Sequence, residues 1–287
     1  MNNNYSLSHR KDEPEKGVLY IVGTPIGNLD DISHRAINIL KNVSLIACED
    51  TRQTSKIIKK FKFNNNLVSF NKINSFKKTP QIIEQLKMGR SVALVSDAGM
   101  PIICDPGEDL VKNAKSNKID IICVPGPCAA ITALVSSGMP SSRFIFEGFL
   151  PKKKSEREKI LFEISKSDKT TIIFESPHRL IKLLQELKEF CGGEREIQVS
   201  RELTKKFEEH IMDKIDKVLE IFSKREVLGE ITIVIKGVSE HKFFEADIFF
   251  LKKELHELIN AGLSLSAASK FLAKKTNIPK SEIYKLH

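Results

Sequence analysis

Short, almost wholly apolar runs alternate with longer amphipathic ones along the first half of the chain. Residues 18–22, 45–47, 92–95 and 119–124 are apolar stretches suited to strands buried on both faces. Between and after them, residues 32–40, 54–60, 81–88, 108–116 and 129–137 space their apolar positions at helical intervals. This βαβ rhythm predicts a largely parallel sheet covered by helices on both sides. Gly138-Met-Pro-Ser-Ser142 closes the set and is the natural boundary. Beyond it, strands are expected at 143–149, 170–174, 196–200 and 230–235, with helices at 155–166, 178–190 and 213–222, which makes a second α/β domain. Gly192 and Gly193 read as an ordinary helix stop. The tail changes character, with helical spacing at 248–259 and 265–274 and a further short segment at 277–284. Two readings fit it, a helix-turn-helix and a helical appendage that caps the second domain or a dimer. The expected division is a disordered head over 1–16, an N-terminal α/β domain over 17–139, a C-terminal α/β domain over 140–240 and a helical extension over 241–287.

The length of 287 residues suits two such domains, and 41% hydrophobic content is enough to pack them. The net charge of +9 points to an anionic partner, against the plainer reading of a lysine-rich solvated surface. Cys48, Cys104, Cys123, Cys128 and Cys191 are dispersed, without a Cys-x-x-Cys pair or a His–Cys grouping, so a reduced compartment and no metal site are expected. No apolar run approaches the roughly 20 residues that cross a bilayer. The head is polar and charged, with too little apolar surface to order, and it lacks the core of a signal peptide. A cytoplasmic protein without a membrane partner is the expectation.

Candidate chemistry gathers where the strands of the first domain should end. Leu19-Tyr-Ile-Val-Gly-Thr-Pro-Ile-Gly-Asn-Leu29 breaks from a strand into a loop in which Gly23 and Gly27 permit close backbone approach and Pro25 stiffens the turn. It is neither the Gly-x-Gly-x-x-Gly dinucleotide fingerprint nor a phosphate-binding P-loop. Cys48-Glu-Asp-Thr-Arg52, Ser96-Asp-Ala-Gly-Met-Pro101 with Asp105-Pro-Gly107, and Val124-Pro-Gly-Pro-Cys-Ala-Ala130 follow the other strands. In an open α/β sheet, the carboxyl ends of the strands form the ligand crevice, so loops of this kind repeated along one edge describe a site.

These motifs, in this order, closely resemble the tetrapyrrole methylase superfamily, the class III S-adenosylmethionine-dependent methyltransferases, and within it the branch acting on small-subunit ribosomal RNA. The resemblance runs from Gly17 to about Lys236 and continues more weakly to the C-terminus. It includes Glu147-Gly-Phe-Leu-Pro151, Phe174-Glu-Ser-Pro-His-Arg-Leu180, Arg201-Glu-Leu-Thr204 and Gly229-Glu-Ile-Thr232. It implies two α/β domains with the cofactor in the cleft between them, a homodimer, and S-adenosylmethionine-dependent 2′-O-methylation of a cytidine in 16S rRNA of the small ribosomal subunit. By resemblance the cofactor-binding residues are Thr24, Pro25, Asp97, Ala98, Gly99, Pro101, Pro127, Cys128 and Ala129, with Glu230 and Thr232. Met100 stands where the family often has threonine. Asp97 also fits an ordinary turn, and Cys128 also fits a small packing residue.

Methyl transfer from a sulfonium to a hydroxyl is an in-line displacement that needs alignment and removal of one proton. Glu49, Arg52, Glu175, Arg201 and Glu202 are the catalytic candidates, with Asp50 and His178 beside them. Glu49 would orient or deprotonate a ribose hydroxyl while Arg52 holds phosphate, the rival reading being an internal ion pair that fixes the loop. Arg201 and Glu202 carry the same two readings. His178 follows Pro177 in a helix start and also fits a capping or packing role. Arg52, Lys152, Lys153, Lys154 and Arg179 are the RNA-binding candidates, although a lysine run is ordinarily solvated surface. Two rival functions stand beside this one: a tetrapyrrole or other small-molecule methyltransferase, and a non-catalytic RNA-binding assembly protein.

Overall fold

The computed structural model describes residues 12–238, 240–276 and 278–287, with backbone alone over 240–247. The chain divides into two compact units, Met1–Ala133 with Glu202–Glu209, and Leu134–Arg201 with His210–His287. The head expected to be disordered over 1–16 lies outside the described residues up to position 11. Beyond that point Glu13 takes a two-pronged hydrogen bond from Arg35, at 2.7 and 2.8 Å.

In the first unit, β1 (Leu19–Val22), β2 (Leu45–Cys48), β3 (Leu67–Ser69), β4 (Val92–Val95) and β5 (Ile121–Val124) form one sheet in the order β3-β2-β4-β1-β5. Every registered pair in it is parallel. Alternate side chains of one strand therefore enter two separate cores. Tyr20, Val22, Ile46, Cys48, Ala93 and Val95 meet Ala36, Ile39 and Leu40 of α1 (His34–Asn42) and Ile57 of α2 (Thr51–Phe61). Leu19, Ile21, Ala47, Val92 and Leu94 meet Ile82, Ile83 and Leu86 of α3 (Ser75–Lys87) and Leu110 and Ala114 of α4 (Glu108–Ser116).

In the second unit, β6 (Phe144–Phe149), β7 (Thr170–Glu175), β8 (Glu196–Arg201), β9 (Glu209–Lys214) and β10 (Ile231–Ile235) lie in the order β6-β7-β10-β8-β9. This sheet is mixed, because β10 runs antiparallel to both β7 and β8 while β6 and β7 are parallel. Its core joins Ile173, Ile197, Val199, Ile231 and Ile233 to α6 (Lys154–Lys166), α7 (Pro177–Cys191) and α8 (Ile215–Ser223). The helix expected to begin at Asp213 begins at Ile215, since Asp213 and Lys214 finish β9. α5 (Ala129–Ser137) contains the division between the units. In the tail, α9 (Glu240–Asn260), α10 (Leu265–Thr276) and α11 (Lys280–Tyr284) close around Leu251, Leu255, Ala268, Leu272 and Ile283. Asn277, the first residue of the last expected segment, lies outside the described residues. Among the described residues no helix is long and apolar enough to cross a membrane.

Candidate active site

Because the first sheet is parallel, the loops after all five strands leave from one edge. Two glycines let the loops after the neighbouring strands β1 and β5 pack closely together. A Cβ on Gly23 would lie 2.7 Å from the Cα of Gly126, and one on Gly126 would lie 2.8 Å from the Cα of Gly23, so neither position has room for a side chain. Thr24 and Gly99 form a two-residue antiparallel bridge, with N–H···O distances of 2.9 and 3.1 Å. The buried Thr24 hydroxyl is aimed at the carbonyls of Ser96 (3.2 Å) and Gly99 (3.4 Å), so this side chain braces the loop from inside. Gly99 has φ +77°, a conformation that glycine adopts without strain. Pro25 and Pro101 are buried behind the loops, Asp97 and Ala98 are exposed, and Pro127, Cys128 and Ala129 are partly exposed. The Cys128 carbonyl accepts from the Thr132 amide at 2.9 Å and so opens α5. The first amides of a helix have no acceptor within it and favour a carboxylate. These closely packed loops carry a helix start that favours a carboxylate and an exposed carboxylate, Asp97, that favours a cation.

Next to these loops lies a cluster of acids. Asp50 is the N-cap of α2; its carboxylate accepts from the Arg52 amide at 2.8 Å and grips the Arg52 guanidinium at 2.5–3.0 Å. Arg52 is thus paired with Asp50 and not with Glu49, because Asp50 at the cap position points along the same turn. The Asp50 amide in turn donates to Asp97 Oδ1 at 2.9 Å, tying the two loops. The hydrogen bonds from Arg52 hold the Asp50 carboxyl below the usual range. Glu49, half-buried, is pushed the other way, by burial first and then by the charges of Asp105 and Asp97. Burial raises Asp105 as well, and Asp97, although its side chain reaches solvent, is raised by partial desolvation and by the charge of Asp50. Neighbouring carboxyls driven apart in this manner separate a fixed anion from a proton acceptor. The adjoining loop is strained, with Ile102 at φ +78° and Cys104 at +67°, and Lys72 Nζ donates to the Cys104 carbonyl at 3.1 Å. Neither Asp105 nor Lys72 is among the side chains that the sequence marks as functional; the strand-end segment Asp105-Pro-Gly107 is the signal that points to the first.

The remaining candidates fall into different surroundings. The Glu175 side chain is wholly buried, 3.4 Å from Arg157 Nη2 and 3.3 Å from Arg179 Nε, and accepts from the Ser176 amide at 2.8 Å. Arg157 is also bound to Glu186 at 2.7 Å, and Arg179 donates to the Leu150 carbonyl at 3.2 Å. This is the environment of a structural charge network. Arg201 Nη1 donates to the Leu228 carbonyl at 3.3 Å. Glu202, at φ +54°, is bridged to Lys205 at 2.8 Å, and the Thr204 hydroxyl accepts from the Asn28 amide at 3.0 Å. Glu230 is exposed just before β10; Thr232 is buried within it, opposite Phe174 and Ser200. Pro177 starts α7 and places the exposed His178 in its first turn. Lys152, Lys153 and Lys154 are exposed at the start of α6, where Lys153 and Lys154 face Glu156 (2.9 Å) and Glu158 (3.7 Å). Surface pairs of this kind are worth little, so they leave the lysines available to phosphate.

Residues 18–219 match the model of the Tetrapyrrole (Corrin/Porphyrin) Methylases. A Synechocystis sp. protein named ribosomal RNA small subunit methyltransferase I is 40% identical over 94% of this chain and 97% of its own length. The protein of that name from Thermotoga maritima is 45% identical over 77% of this chain and 99% of its own. Among solved structures, the uroporphyrin-III C-methyltransferase of Thermus thermophilus complexed with S-adenosylhomocysteine superimposes with a TM-score of 0.55. That match has 15% identity and covers 76% of this chain and 96% of the other.

Proposed function

The chain belongs to the tetrapyrrole methylase family, alongside relatives named ribosomal RNA small subunit methyltransferase I, and from that premise we propose that it methylates the 2′-hydroxyl of a cytidine in 16S rRNA of the small ribosomal subunit, using S-adenosylmethionine. What carries the reading in the structure is Glu49, a half-buried carboxyl with a raised proton affinity, beside an exposed Arg52 clamped by Asp50, on the same sheet edge as the closely packed glycine loops. S-adenosylmethionine, when bound, supplies an electrophilic methyl group. The loops braced by the Gly23–Gly126 contact and the Thr24–Gly99 bridge would hold the donor side, with Asp97 available to the ammonium or a ribose hydroxyl and the first amides of α5 available to the carboxylate. On the acceptor side Arg52 anchors phosphate, and Glu49 orients the ribose hydroxyl and accepts its proton. Alignment supplies the larger share: effective molarity accounts for roughly 7–11 kcal/mol of a barrier, whereas a positioned base adds about 10²–10⁴ in rate. Lys152, Lys153 and Lys154 contact phosphate, as do Arg52 and Arg179. The working form is a homodimer in the cytoplasm, and the pairing of copies is supported by apolar side chains left exposed, such as Val135 at 73% and Phe149 at 55%.

Transfer of a labelled methyl group tests the reading. Label should enter RNA of small subunits and not a tetrapyrrole offered beside them; the reverse result would make the protein a small-molecule methylase. Binding of small-subunit RNA without binding of S-adenosylmethionine would leave a non-catalytic assembly protein.

Two variants separate donor from acceptor. Gly99→Val places a branched side chain at a positive φ, with its Cβ 3.3 Å from Ile26 Cγ2 and 3.4 Å from the Pro127 carbonyl. Calorimetry should show cofactor affinity reduced by about tenfold or more; full affinity in the folded variant would remove Gly99 from the site. Replacing Lys152, Lys153 and Lys154 by alanine should leave that affinity unchanged and weaken subunit binding. It should also flatten the salt dependence, by a slope of about 0.7–0.9 for each phosphate that is no longer neutralised. An identical slope in variant and parent would return these lysines to solvated surface.

A further inference from the structure

At the carboxyl end of β3 the chain turns through Asn71-Lys-Ile-Asn74 into α3, and the two asparagines build this turn from both sides. Asn71 Oδ1 accepts from the amides of Ile73 (3.0 Å) and Asn74 (3.1 Å), while Asn74 Oδ1 accepts from the Asn71 amide at 2.9 Å. Asn74 Nδ2 donates to the Ser69 carbonyl at 3.2 Å, and Asn71 Nδ2 to the Ser69 hydroxyl at 3.3 Å. The polar groups are thus turned inward, and what the turn presents to solvent is Ile73, 94% exposed, and Phe76, 87% exposed. Apolar groups of this size gain from being covered. Lys72, Lys77 and Lys78 flank them, with no acidic residue from position 70 to position 80.

Ile73 and Phe76 are the most exposed large apolar side chains among the described residues, and their turn stands at the ligand edge of the sheet. β3 pairs in parallel with β2, whose end carries Glu49 and the Asp50–Arg52 clamp, so the turn leaves the same sheet edge as the acid cluster. Lys72 links the two directly through its hydrogen bond to the Cys104 carbonyl, beside Asp105. A second copy of the chain meeting this patch across a two-fold axis would set lysine against lysine. An RNA strand instead supplies bases for the apolar groups and a phosphate per nucleotide for the lysines.

We propose that the turn is a nucleobase platform, on which an unpaired base next to the methylated nucleotide stacks against Phe76 and Ile73 while Lys77 and Lys78 hold the adjoining phosphates. The inference rests on the RNA-methylation reading above and adds the surface that holds the strand. It is tested on the full chain with a short single-stranded RNA oligonucleotide and with unmethylated small subunits. Phe76→Ala should weaken oligonucleotide binding by about tenfold or more and raise KM for subunits, with cofactor affinity unchanged, and Phe76→Trp should restore both. Lys77→Ala with Lys78→Ala should lower the salt slope by about 0.7 for each phosphate set free. Equal RNA affinity in Phe76→Ala and parent overturns the platform. If that variant sediments differently while its RNA affinity is unchanged, the patch is an interface between copies. A parent that binds neither oligonucleotide nor subunit overturns the RNA reading itself, a failure distinct from that of the turn.

Discussion

Glu49→Gln is expected to lower single-turnover methylation by about 10²-fold or more, while the protein remains folded and binds cofactor as before. The substitution keeps the size of the side chain and removes its proton-accepting charge. Glu49, Asp97 and Asp105 all bind protons more tightly in the fold than free in solution, chiefly through burial. A carboxyl raised in this way contributes stability below its unfolded pKa and loses that contribution as pH rises through the folded value. At neutral pH the ionised Glu49 is therefore a cost to the fold, and Glu49→Gln should melt at the same temperature as the parent or higher. The parent's single-turnover rate should fall on acidification at a pH above the ordinary glutamate range, and that limb should vanish in the variant. A variant that keeps full turnover but melts earlier would make Glu49 a structural group and move the search for the base to Glu202 or solvent.

Glu175→Ala should have the opposite signature, a loss of about 3 kcal/mol of stability, because removing the wholly buried carboxylate leaves Arg157 to Glu186 alone and takes the counter-charge from Arg179. Arg157 is buried, and its Nη1 already lacks a hydrogen-bond partner among the described residues, so little slack remains. The Ser176 amide would lose its acceptor, and Arg179 would keep only the Leu150 carbonyl. Urea unfolding should show the midpoint of the second unit's transition displaced to lower denaturant, at unchanged slope. Methylation measured well below that midpoint should be largely retained. Unchanged stability with abolished methylation would instead place Glu175 in the chemistry.

The βαβ rhythm was legible because fully buried strands need uninterrupted apolar runs, and β4, α4 and α5 fall where the pattern puts them. β3 escaped because Leu67-Val-Ser69 is three residues long and only partly buried, which gives periodicity nothing to act on. β9 escaped because Glu-His-Ile-Met-Asp-Lys is a largely exposed strand at the end of its sheet, whose side chains carry little core signal. The mixed direction of the second sheet is set by tertiary pairing of β10, which no local pattern encodes. At the site, the loops were visible from their glycines and prolines. Which acid takes Arg52 was not, since Glu49 and Asp50 are adjacent and only the cap geometry of α2 decides between them. Thr24 likewise matched by motif, whereas the inward direction of its hydroxyl depends on the Gly99 bridge. The platform turn left one readable trace, the Asn71-x-x-Asn74 spacing, which suits reciprocal side-chain-to-backbone bonding.

The most direct measurement is nucleoside analysis of small-subunit RNA after incubation with the protein and methyl-labelled S-adenosylmethionine. The label is predicted to appear in 2′-O-methylcytidine at a single site, and to fall sharply with Glu49→Gln under single-turnover conditions. Label on a base, at scattered sites, or absent from RNA while a tetrapyrrole is methylated would contradict the account.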